Sequence, residues 1–144
     1  MFFITVKRKI SISHIISGVV GLDMIHGHMW EVIVKIYSEK LYENEMVLDF
    51  EYIHNIINPF INQIDFSLLY NKEKVNLTFD KYTIGAYALD GYEPTTEYIS
   101  YVLSNIIRDK LKEDGFINRV KKITVEIVED RNSSGGYSIE DCRG

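Results

Sequence analysis

The run HMWEVIVKIY, residues 28 to 37, is rich in β-branched and aromatic residues with partial alternation of apolar and polar side chains, the pattern of a half-buried strand. A similar run spans residues 2 to 16, and SGVVGLD lies between the two as a glycine-containing turn. The pair therefore reads as an antiparallel hairpin that begins the fold. Downstream, Asp49 precedes Phe50, Ile53, Ile56 and Ile57, apolar positions at helical spacing, and Pro59 is expected to end or kink that helix after about ten residues or slightly more.

Between Asn71 and Glu93, VNLTF and YTIGAYA read as short strands of an added hairpin, with a surface loop as the alternative. A second helix opens at Pro94 and Thr95, where Glu97 suits the positive end of the helix dipole. Ile99, Val102, Leu103, Ile106, Ile107 and Leu111 follow one face until Gly115. VKKITVEIVE, residues 120 to 129, alternates again and forms the expected last strand. The order is β-β-α-α-β, an α+β class.

The length of 144 residues, 46% of them hydrophobic, suits one domain over 1–144 with a single core. Sixteen Lys and Arg against 21 Asp and Glu give a formal charge of -5 without a concentrated basic surface, which disfavours a nucleic-acid partner. No apolar run approaches the ~20 residues of a membrane span, and MFFITVKRKI reverses the charge order of a secretory signal. Cys142 is the single cysteine, so no intramolecular disulfide forms and a cytoplasmic location is expected. Near the C-terminus, it is expected to be a plain surface thiol.

Three of the four histidines fall near the first strand pair. His26 and His28 flank Gly27, so on an extended strand both rings project from one face. His14 lies across the short turn, where an antiparallel neighbour brings facing side chains to within about 5 Å. Three neutral imidazoles suit Zn²⁺ at ~2.0–2.1 Å and leave a fourth position open, as in catalytic sites; iron or nickel would accept the same donors. Paired strand histidines also occur as partly buried residues bonded to backbone. His54, away from the apolar positions of the first helix, reads as a solvated surface residue.

His14, then HGH at 26 to 28, DF at 49 and 50 opening a helix, PTTE at 94 to 97 opening the next, and Glu129 eight residues before Tyr137 occur in one order. In that order the chain resembles the 6-pyruvoyl tetrahydropterin synthase and 6-carboxytetrahydropterin synthase (QueD) family. The resemblance implies the tunnelling fold (T-fold), an antiparallel sheet backed by two helices that closes a barrel by oligomerisation into a homo-trimer or homo-hexamer. It also implies that His14, His26 and His28 ligate zinc, that Glu129 anchors a pterin ring through its N–H and amino edge, and that Thr95 and Thr96 line the ring's pocket.

Two positions depart from the family pattern. The usual catalytic cysteine, four residues before HGH, is Leu22, and the Asp-His pair after the first helix is Asp65 and Phe66. Asp23 is the candidate replacement base and Asp65 its candidate partner, although each is also an ordinary turn or cap residue. The expectation is a zinc-dependent lyase acting on a dihydroneopterin-type substrate. The alternatives are a non-catalytic zinc- and pterin-binding sensor or assembly subunit, and a metal-binding protein without a pterin role.

Overall fold

The computed structural model describes residues 1–78 and 85–142. Strands β1 (Phe2–His14) and β2 (His26–Ser38) pair antiparallel along their whole length, from Phe2 opposite Ser38 to His14 opposite His26. On β2, Trp30, Val32, Val34 and Ile36 are fully buried, while Met29, Glu31, Ile33 and Lys35 occupy the other face. The period-2 pattern thus fixes which side of the sheet meets the core.

After β2 comes helix α1 (Phe50–Ile64), then β3 (Ser67–Asn71), β4 (Ala86–Leu89), helix α2 (Thr96–Glu113), β5 (Lys122–Asp130) and β6 (Ser133–Ile139). The strands form one sheet in the order β4-β3-β1-β2-β5-β6. Its β1-β2-β5-β6 portion is antiparallel, whereas β3 pairs parallel with both β1 and β4. Both helices press their apolar stripes onto one face, α1 with Ile53, Ile57, Ile61 and Ile64, α2 with Ile99, Leu103, Ile107 and Leu111. Among the described residues, this mixed sheet of six strands backed by two helices is the T-fold architecture.

Several expectations need correction. The expected hairpin of VNLTF and YTIGAYA is not seen: Val75–Thr78 join no ladder, Ala86–Leu89 instead pair parallel with β3, and Phe79 and Tyr82–Ile84 lie outside the described residues. β5 is not the last strand, because SSGGYSI adds β6 at the edge. That strand lacks an apolar alternation for a packing reason. A Cβ on Gly136 would collide with the Val125 carbonyl, and one on Gly135 would sit 2.6 Å from the Glu97 carboxylate of α2. Cys142 is buried with the core, its Sγ 3.6 Å from the Ile139 carbonyl, because the chain after β6 folds back across the start of β5.

Helix α1 also continues past Pro59. Asp49 caps it by accepting the Glu51 amide, and the helix continues five residues beyond the proline to Ile64. Pro59 is exposed, as is Asn55, whose carbonyl the ring deprives of an amide, so water can take the missing bond while Phe60, Ile61 and Ile64 hold the last turn in the core. The cost of a helix-interior proline nevertheless remains. Pro59→Ala is expected to raise stability by about 1–3 kcal/mol in urea unfolding; an unchanged or lower midpoint would show that the proline is not strained there.

Candidate functional site

The full-length register of β1 against β2 sets His14 directly across from His26, and His28 follows on the same face of β2. Ring centroids of His14 lie 4.4 Å from His26 and 5.0 Å from His28, and those of His26 and His28 are 5.1 Å apart. One ligand nitrogen from each lies within 4.8 Å of the other two, near enough for small ring rotations to bring all three onto one ion.

The backbone fixes two of the tautomers. His14 Nδ1 is 2.9 Å from the Pro94 carbonyl, and His26 Nδ1 is 2.9 Å from the Met24 carbonyl. A carbonyl only accepts, so each Nδ1 carries the proton and each Nε2 keeps its lone pair. His28 Nε2 is buried without a hydrogen-bond partner. An orphaned ring nitrogen beside two oriented lone pairs is what a bound cation would satisfy, so the donor set fits a zinc-type ion.

Glu129 comes from β5 at a bulge between Val128 and Asp130, the place where the ladder to β6 slips. Bulges re-aim side chains. Its Oε1 lies 3.6 Å from His14 Nε2 and 3.4 Å from His28 Nε2, the latter without hydrogen-bond alignment. Thr95 caps α2, its Oγ1 accepting the Tyr98 amide at 3.1 Å, and Thr96 Oγ1 donates to Glu97 at 2.6 Å. His14, His26, His28, Glu129, Thr95, Thr96, Glu97, Ile16 and Leu22 line one cleft of about 200 Å³. A larger cleft of about 300 Å³ against Val47, Leu48 and Phe116 is lined by none of the three histidines.

The sequence reading missed Glu97 as a cleft residue, because an acid in a first helical turn already has an electrostatic reason to be there. Gly135 of β6, with no side chain, lets α2 come close enough to present it. Asp23 and Asp65 are not among the residues lining the cleft. Asp23 is exposed on the β1–β2 turn. Asp65 follows α1 and accepts the Ser11 amide at 2.9 Å, while Phe66, left-handed at φ 57° and 81% exposed, donates its amide to the Ser11 carbonyl. His54 is half-buried on α1, away from the cluster.

A family model described as 6-pyruvoyl tetrahydropterin synthase matches residues 3–140. The 6-carboxy-5,6,7,8-tetrahydropterin synthase of Aquifex aeolicus is 28% identical over 123 residues, covering 81% of this chain and 75% of that protein. A putative enzyme of the same description from Methanocaldococcus jannaschii is 28% identical across 90% of this chain and 88% of its own. Among solved structures, Plasmodium falciparum 6-pyruvoyl tetrahydropterin synthase superposes with a TM-score of 0.78 at 14% identity, covering 96% of this chain and 98% of that one. A Plasmodium vivax counterpart, with a catalytic glutamate replaced by alanine, gives 0.77 at 14% identity over the same shares.

Burial, and secondarily the neighbouring His26 and His28, lowers the His14 pKa below its ordinary 6.5, against the opposing pull of the Pro94 hydrogen bond and Glu129. The folded state then resists a proton that the unfolded chain accepts. Stability of the metal-free protein should be full above pH 6.5 and decline as pH falls from there toward the lowered folded value. Urea unfolding between pH 8 and pH 5 is expected to show a shallower decline in His14→Gln; an identical slope would remove His14 from the titration.

Proposed function

We propose that this chain, which belongs to the 6-pyruvoyl tetrahydropterin synthase family, is a zinc-dependent pterin-binding enzyme of the lyase type acting on a dihydroneopterin-type substrate. Membership supports a pterin-related synthase. The observation that carries the finer reading is the convergence of three imidazoles and the Glu129 carboxylate in one cleft. His14, His26 and His28 would hold the ion, which when bound supplies Lewis acidity toward substrate oxygens and keeps a fourth position open.

The rest belongs to the chain's own side chains. Glu129 presents two acceptor oxygens, suited to a ring N–H and an adjacent amino group, a bidentate contact that fixes the ring's orientation. Thr95 and Thr96 line the same cleft, at the helix start, where hydroxyls and backbone amides would meet the ring's remaining polar atoms. Leu22 forms part of the wall and cannot carry a proton. Asp23, one residue on, is our candidate general base, reaching the cleft through rotation of the exposed turn. A catalytic carboxylate has a precedent, since the substituted catalytic residue of the Plasmodium vivax neighbour is a glutamate.

Asp65 and Phe66 stand at the end of α1, away from this cleft, so they would contribute to chemistry only across a subunit boundary, with Asp65 as a partner of the base. A ring of three or six chains, closing the exposed strand edges, provides such a boundary. A second reading, a non-catalytic zinc- and pterin-binding subunit, draws support from Leu22 in the cleft wall and Asp23 outside it.

Metal content and neopterin titration on two variants should cross over. His26→Ala is expected to lose the zinc that the wild type holds at about one per chain. Glu129→Gln should keep zinc and bind neopterin roughly 5- to 150-fold more weakly, the cost of one unmatched buried polar group. Light scattering on the same samples should give three or six chains. Zinc retained in His26→Ala, neopterin affinity unchanged in Glu129→Gln, or a monomer would each remove the corresponding part of the proposal.

On dihydroneopterin, Asp23→Asn should lower turnover by about 10²- to 10⁴-fold, the usual contribution of a positioned base, with zinc content unchanged. On the triphosphate, formation of 6-pyruvoyl tetrahydropterin should be slow or absent. Wild-type turnover that survives Asp23→Asn would overturn the assigned base. A protein that binds neopterin and turns over neither compound favours the non-catalytic reading.

A further inference from the structure

Glu93 immediately precedes Pro94, whose carbonyl receives the Nδ1 proton of His14, yet Glu93 is not among the residues lining the cleft. Its carboxylate collects three hydrogen bonds from two distant elements. Ser17 donates its amide to Oε1 at 2.6 Å and its hydroxyl to Oε2 at 2.7 Å, and the Asn71 side-chain amide donates to Oε2 at 2.7 Å. Ser17 lies three residues past His14, where the chain leaves β1. Asn71 ends β3, is 1% exposed, and has its own Oδ1 held by the amides of Glu73 at 3.1 Å and Gly91 at 3.2 Å.

One carboxylate therefore bolts the exit of β1 and the end of β3 to the segment that presents the Pro94 carbonyl. The proline ring fixes φ at that residue, so the position of Glu93 is transmitted to the carbonyl with one soft dihedral fewer. Burial works to raise the Glu93 pKa, but the hydrogen bonds from Asn71 and Ser17 together outweigh it and hold the carboxyl below its ordinary range. The ionised group accepts only, which suits three donors.

We propose that Glu93 is the positioning residue of the histidine site, fixing the tautomer and ring orientation of His14 through the Pro94 carbonyl. The proposal rests on the reading of the three histidines as a metal site. A loop clamp with no bearing on His14 is the competing account. The two differ in what a change at Glu93 does to the histidine, as distinct from what it does to stability.

Glu93→Gln keeps the shape but offers one acceptor oxygen and an amide group to three donors. Zinc affinity of the folded protein, measured by competition with a chelator, is expected to fall 10- to 100-fold, the usual effect of losing a partner that orients a ligand. Ser17→Ala, which removes one of the three contacts, should weaken zinc by a smaller factor, roughly threefold. In the metal-free protein, ¹⁵N NMR should show His14 protonated at Nδ1 in the wild type and a mixture of tautomers in Glu93→Gln. A lower melting temperature with zinc affinity and tautomer both unchanged would overturn the proposal and leave a loop clamp. Should Glu93→Gln fail to fold, Ser17→Ala decides by the same two readouts. A wild type that holds no zinc would refute the metal reading, and the tautomer measurement alone would then decide the role of Glu93.

Discussion

The thirteen-residue ladder between β1 and β2 is the constraint on which the site depends. Because side chains alternate with period 2, a slip of one residue would turn Trp30, Val32, Val34 and Ile36 out of the core, and would carry His26 and His28 to the opposite face from His14. Hydrophobic burial and the histidine cluster thus demand the same register. Four side chains buried completely, each worth about 1.5–3 kcal/mol, give the core the larger share in choosing it. The imidazoles gather as a consequence of a pairing that the apolar residues enforce.

That explains why the sheet centre and the histidines were legible in the sequence. Trp30 to Ile36 and Ile123 to Ile127 carry the alternation openly, and H-x-H on a strand has a simple geometric meaning. Short parallel strands carry no such signature. SLLYN of β3 is buried at nearly every position, so its apolar run follows helix α1 without a period, and SSGGYSI of β6 is shaped by what its glycines must avoid. An end at Pro59 was a misreading because the rule for prolines is local, whereas the buried Phe60, Ile61 and Ile64 act at a distance. Glu93 was invisible for the same reason: its three donors come from residues 17 and 71.

The site lies where the core runs out. His14 is buried and is bonded to a backbone carbonyl, while His26 and His28 open toward the cleft, so polarity and exposure grow together along one face. Burial disfavours protonation of His14, which keeps its Nε2 available as an acceptor. The nearby Glu129 adds negative charge on the open side, where solvent still reaches. A cation would suit both features, since unprotonated nitrogens can bind it and the carboxylate nearby attracts it.

The residues proposed for holding and those proposed for chemistry sit on different kinds of structure. His14, His26, His28 and Glu129 belong to strands whose register the core enforces, and Thr95 and Thr96 to a capped helix start. Leu22 and Asp23 belong to an exposed turn between β1 and β2, which contains Gly18 and Gly21 with φ of 80° and 87° and carries Val20 and Met24 to solvent. Substitutions in such a turn disturb little packing. An aliphatic side chain at Leu22 bears on what the cleft could do to a bound molecule, and not on the strands and capped helix that would place it. Proton transfer and binding would therefore rest on different parts of the chain, and the two properties have to be measured separately, because neither one implies the other.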